Sequence, residues 1–199
     1  MRKLTSLALV WLIMTTTAAV PSASIPRKSP EFTIHEPSGR DVLLSSFKGK
    51  VVMIEFLFLK SAKCLSLATT MNKLNAELGQ RGFQPIAIAF SAPQSDANGP
   101  LVGSMAENLK LTYPMGYSKK EDVDQYLGRG DKELLRIPQV IIIDRGGMIR
   151  AQTGGQDANL KLEDEAYLRT LLDGLLKESP APAAPAKESP TQKSRKSPS

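Results

Sequence analysis

The chain has 199 residues, 41% of them apolar and 23% charged, with one cysteine and one histidine. That composition excludes wholesale disorder, since it supplies one real core, and it excludes an internal disulfide and any metal centre built from Cys and His. The formal charge of +6 sits mostly at the ends: Arg2 and Lys3 carry two, and Lys177, Lys187, Lys193, Arg195 and Lys196 against Glu178 and Glu188 carry a net three, leaving +1 for the body, so no nucleic-acid partner is expected.

Residues 1–24 read as a secretory leader. Arg2 and Lys3 precede an apolar stretch over 4–20, Pro21 breaks it, and Ser22-Ala23-Ser24 offers a cleavage site. Cleavage after Ser24 is expected and gives an exported, periplasmic or secreted protein. The alternative is an uncleaved anchor, the one route to a membrane, but the apolar run is short and diluted by three threonines. At the other end, residues 178–199 are rich in Pro, Ala, Ser and Lys, and Lys-Glu-Ser-Pro recurs at Lys177 to Pro180 and Lys187 to Pro190. They bury too little apolar surface to offset ordering entropy and read as a disordered tail.

The domain lies between, over 25–177. Thr33-Ile34 and Val42-Leu43-Leu44 around Pro37-Ser38-Gly39 form an N-terminal hairpin, with His35 as one of its polar residues. The run Val51 to Leu59 is almost continuously apolar and suits a strand covered on both faces. Residues 61–78 place Leu67, Met71, Leu74 and Leu78 on one helical face, ended by Gly79 and Gly82. A second apolar strand runs over 83–90 and a second helix over 101–109. Val140 to Ile143 forms a third buried strand, turned by Arg145-Gly146-Gly147 into a strand at 148–151. Residues 163–176 close the domain as an amphipathic helix. The order βαβα then ββα predicts an α/β sandwich.

Three segments carry a family resemblance: Ser46-Phe47-Lys48-Gly49-Lys50-Val51-Val52, Leu59-Lys60-Ser61-Ala62-Lys63-Cys64, and Arg136-Ile137-Pro138-Gln139 leading into the third strand and its hairpin. In this order and spacing they resemble the thioredoxin superfamily, closest to exported TlpA/ResA-like and AhpC/TSA-type redoxins. The resemblance implies a thioredoxin-like three-layer sandwich with a central mixed sheet, extended by the N-terminal hairpin. It implies no cofactor. It places the redox motif at residues 61–64, with Lys60, Ala62, Lys63, Ile137 and Pro138 along the substrate groove and Pro138 in a cis-proline loop.

The sequence departs from the family at one position. Ser61 stands where the attacking cysteine belongs, and only the second, Cys64, remains. A dithiol cycle needs one thiolate to attack and a second to resolve, so that cycle is not expected within one chain. Glu55, six residues before Ser61, matches the spacing of the buried carboxylate that relays a proton to the second cysteine in thioredoxins; a water-bridged acid without chemistry is the alternative. Desolvation in so apolar a run should raise its pKa. Two readings of Cys64 stand side by side. Helix polarity at an end capped by Ser61, with Lys60 and Lys63 near, favours thiolate; burial favours an inert thiol.

Three functions follow: a redoxin without dithiol catalysis that still engages a protein thiol or small thiol, including through a mixed disulfide; a one-cysteine peroxidase, whose Ser/Thr-x-x-Cys minimum is met by Ser61 and Cys64 but whose preceding proline is replaced by Leu57 and whose arginine is offset to Arg136; and a binding module with no thiol role.

Overall fold

The computed structural model describes residues 24–93, 95–130, 135–154 and 161–178. The expected leader, up to its last residue, and the tail beyond Glu178 lie outside the described residues. Eight strands form one sheet: β1 (Arg27–Lys28), β2 (Thr33–His35), β3 (Asp41–Leu43), β4 (Val51–Leu57), β5 (Phe83–Ser91), β6 (Met115–Lys119), β7 (Gln139–Ile143) and β8 (Met148–Gln152). Their order across the sheet is β1-β8-β7-β4-β5-β6-β2-β3. Strands β4, β5 and β6 run parallel, and the other pairings are antiparallel. Among the described residues four α-helices cover the sheet: α1 (Ala62–Leu78), α2 (Gly99–Asn108), α3 (Lys120–Leu127) and α4 (Glu165–Lys177).

The apolar run of β4 explains the layering. Its side chains alternate between two cores: Val51, Met53 and Leu57 pack with residues of α1, α2 and α4, while Val52, Ile54 and Phe56 pack with Val123, Tyr126 and Leu127 of α3. A central strand buried on both faces reads as uninterrupted apolar sequence because neither face meets water. The result is the expected three-layer sandwich with a mixed sheet and an N-terminal hairpin.

Three elements were not expected from the sequence, so the order βαβα-ββα becomes βαβαβα-ββα behind an N-terminal βββ. β1 is two residues long and exists through pairing with β8. β6 holds a glycine and a serine in five residues, and α3 is eight residues long. Gly116 has a steric reason: a Cβ there would lie 2.5 Å from Ile34 Cγ2 and 2.9 Å from the His35 carbonyl oxygen, so its absence lets β2 close against β6. α2 begins two residues before its expected start, where the Asn98 side chain accepts the Leu101 N–H at 3.1 Å. α4 begins two residues late, behind Asp164, whose carboxylate accepts the Tyr167 N–H at 2.8 Å.

Candidate functional site

The C-terminal end of β4 delivers the chain to the start of α1 through four residues. Phe58 and Leu59 stay buried, Lys60 reaches solvent, and Ser61 caps the helix. The Ser61 N–H donates to the Phe58 carbonyl at 3.1 Å, its carbonyl accepts the Leu65 N–H at 3.0 Å, and its Oγ accepts the Cys64 N–H at 3.4 Å. Ser61 therefore performs the capping expected of a small hydroxyl residue at this position.

Cys64 occupies the inward face of the first turn and is 0% exposed. It packs in the core of α1 and α4 with Leu57, Leu59 and Leu67. Lys60, Ala62 and Lys63 are exposed around it, and Ser61 is half-buried. The two forces acting on the thiol are resolved in favour of burial: desolvation pushes its pKa above the ordinary value, against the hydrogen bonds of Ser61 and the Phe58 backbone, and the acids Glu55 and Glu163 push the same way as burial. Lys60 and Lys63 are both exposed, and a charge in water is screened.

β7 runs antiparallel to β4, with Gln139 opposite Phe56, so its start lies beside the end of β4. That register brings the cis Ile137–Pro138 peptide to the same end of the sheet as Ser61. Pro138 is buried, and half-buried Ile137 packs against both cores.

Glu55 sits mid-strand, flanked by Ala87 of β5 and Val140 of β7, and is 0% exposed. Among the described residues neither of its carboxylate oxygens has a hydrogen-bond partner. Desolvation first, and the charge of Glu163 second, hold its pKa well above the usual carboxylate range. Its neutral form is the one an apolar site tolerates.

Two neighbours of this pair were missed in the sequence. Tyr113, in the segment before β6, is buried in the Cys64 core and donates from its hydroxyl to the Ala68 carbonyl at 3.0 Å. Its pKa is raised by burial and by Glu55. Glu163 lies in the turn before α4, outside the helix whose first residue it was expected to be. A lone aromatic in an unassigned stretch and an acid in a helix start carry no signal in sequence that would place them here. His35 is remote from this cluster in its bonding: its Nδ1 meets Asp41 Oδ1 at 2.6 Å within the hairpin. Among the described residues no group of three or more His, Cys, Asp or Glu side chains is placed to hold a metal.

Comparison with known proteins defines the class. The profile of the AhpC/TSA family matches residues 25–152. The chain belongs to this family. It is 22% identical over 147 residues to the thiol-disulfide oxidoreductase ResA of Bacillus thuringiensis subsp. konkukian, covering 74% of this chain and 78% of that protein. Among solved structures it resembles a thioredoxin-family thiol:disulfide interchange protein from Chlorobium tepidum TLS, with a TM-score of 0.62, 21% identity and coverage of 77% of this chain and 99% of the other. A putative protein disulfide isomerase from Bacteroides thetaiotaomicron gives a TM-score of 0.59 at 26% identity, covering 78% and 91%. The fold is that of thioredoxin.

Proposed function

We propose that this protein is an exported redoxin that engages a partner at the Ser61–Pro138 end of the sheet without dithiol–disulfide exchange. The observation that carries the reading is the pairing of Ser61 with Cys64: the residue at the attacking position is a helix-capping hydroxyl, and the thiol beneath it is fully buried. A serine hydroxyl ionises too weakly to attack a disulfide and forms no bond with sulfur that could be resolved. The thiol that remains is protonated at neutral pH, its pKa raised by burial, and the thiolate is the reactive form. The same burial counts against a one-cysteine peroxidase, which needs an accessible thiolate. Export is supported by the basic, apolar and small-residue segments of the leader. A mixed disulfide with a thiol partner requires Cys64 to become accessible first.

Insulin reduction by the purified protein tests the reading. No turnover above the uncatalysed rate is expected, and thioredoxin-like turnover that Cys64→Ser abolishes overturns it. So does fast peroxide consumption that Cys64→Ser abolishes.

A further inference from the structure

Arg136 differs from the other arginines. Among the described residues every arginine but this one has its guanidinium bonded to a carboxylate, an amide or a carbonyl, as Arg81 is to Asp173, Arg129 to Asp124 and Arg150 to Glu178. Arg136 is exposed, and its side chain has no partner there. The antiparallel register of β7 on β4, with Gln139 opposite Phe56, brings the chain at Arg136 to the same end of the sheet as Lys60. Lys60 and Lys63 are exposed too and have no ion pair among the described residues. No acid lies between Glu55 and Glu77, or between residues 135 and 143, so neither segment carries its own counter-charge. Around the start of α4, Asp164 is used as a cap and Glu165 meets Lys73 and Arg169, which leaves Glu163 against three cations.

We propose that Arg136, Lys60 and Lys63 form a cationic rim at the Ser61–Pro138 end of the sheet that selects an acidic peptide segment of the partner protein. Carboxylate is the chemistry that completes this rim. The planar fork of Arg136 can donate two parallel N–H bonds to one Asp or Glu side chain, and the two lysines supply point charges from the other chain segment. Exposed Ala62 and half-buried Ile137 lie in the same two segments and offer apolar contact to the peptide between its charges. The rim suits a peptide and not a nucleic acid, because residues 60–63 and 135–138 include no aromatic on which a base could stack. The body as a whole carries a charge of only +1, so the attraction is local to this end. Exposed rim charges of this kind choose partners and speed encounter more than they add affinity.

This inference rests on the reading of that end as a partner-binding site and names the partner's chemistry. The two fail by different measurements: insulin turnover that Cys64→Ser abolishes would overturn the first and leave a peptide-binding result standing. The probe is a short fluorescein-labelled peptide alternating Glu and Ala, set against its Gln–Ala counterpart and a labelled oligothymidine, with binding to the full-length protein read by fluorescence anisotropy at low and high salt. The Glu peptide should bind more tightly than the Gln peptide, and less tightly as salt rises. Neutralising the rim, by Lys60→Gln with Lys63→Gln and Arg136→Gln, should weaken it about tenfold, the combined worth of three exposed ion pairs. Lys28→Gln with Lys48→Gln and Lys177→Gln removes the same charge from exposed positions at the opposite end of the sheet and should leave binding unchanged. Equal affinity for the two peptides, or equal loss in the two triple variants, overturns the proposal. So does a rim variant that loses as much affinity for oligothymidine as for the Glu peptide, since the rim would then attract any polyanion.

Discussion

Ser61 Oγ accepts the backbone N–H of Cys64 at 3.4 Å, so the two residues of this motif are joined as cap and capped amide instead of as two thiols. Ser61→Cys should therefore create a pair able to close a disulfide across the first turn of α1. The expected result is loss of two hydrogens on oxidation, read by mass spectrometry, together with measurable insulin reduction. In the reduced state the variant should be less stable by about 0.5–2 kcal/mol, because the cap is weakened. An oxidised variant that keeps both thiols would show that residue 61 does not face Cys64.

Glu55 makes stability depend on pH in a defined direction. The folded chain holds this proton above the usual carboxylate range, through burial first and Glu163 second, whereas the unfolded chain releases it near the ordinary carboxylate value. The stabilising contribution is thus complete at pH below the unfolded value and is lost as pH rises toward the folded one. Replacing Glu55 by Leu, between Met53 and Leu57 on the same face, removes a buried carboxyl that has no hydrogen-bond partner among the described residues. At neutral pH it should raise stability by about 1–3 kcal/mol. Denaturant melts over a pH series check this: the gap between variant and wild type should widen from acid toward neutral pH. Parallel curves would rule out the assignment.

The core of this fold was legible in the sequence wherever side chains had to be apolar on their own account. β4, β5, β7, α1 and α4 announce themselves because residues such as Ile54, Ile88, Ile141, Leu74 and Leu172 are fully buried. What stayed hidden depends on neighbours. β6 is a strand by register with β5 and needs Gly116 for the approach of Ile34; α3 is short, with charge on its outer face. At the site, the positions of Ser61, Cys64, Glu55 and Pro138 were legible through the family resemblance, and the structure caps α1 with Ser61 and buries Cys64, Glu55 and Pro138. The balance on Cys64 was not, since helix polarity and exposed lysines are visible in sequence while the depth of burial is not. Tyr113 and Glu163 join the cluster only through tertiary packing.

Gly116 offers a direct test of that packing. An alanine Cβ would meet Ile34 Cγ2 at 2.5 Å and the His35 carbonyl at 2.9 Å, and the second of these is backbone. A side chain can rotate away, but the β2 backbone can yield only by leaving its bond to β6. Gly116→Ala should cost about 1–3 kcal/mol and lower Tm. The loss should be accompanied by faster amide exchange at residues 33–35. An alanine variant as stable as wild type would mean that β2 does not pack on β6.

Arg145, in the β7–β8 turn, gathers three chain segments at the end of the sheet remote from Ser61. Its guanidinium donates to the carbonyls of Gly49 at 3.3 Å, Arg81 at 2.8 Å and Leu176 at 3.4 Å. These acceptors belong to the lead-in to β4, the turn after α1 and the end of α4, so one planar cation ties both edges of the α1–α4 layer to the sheet. Lysine carries three donors, but on a single nitrogen, without the planar fork that spreads the donors of Arg145 over all three carbonyls. Arg145→Met keeps much of the apolar stem and removes the donors, and should lower stability by about 0.5–1.5 kcal/mol through the hydrogen bonds lost. Arg145→Lys should recover only part of the loss. Chemical denaturation of the three proteins decides it: the midpoint of Arg145→Met should fall and that of Arg145→Lys should lie between the other two, whereas equal midpoints would show that these bonds hold nothing together.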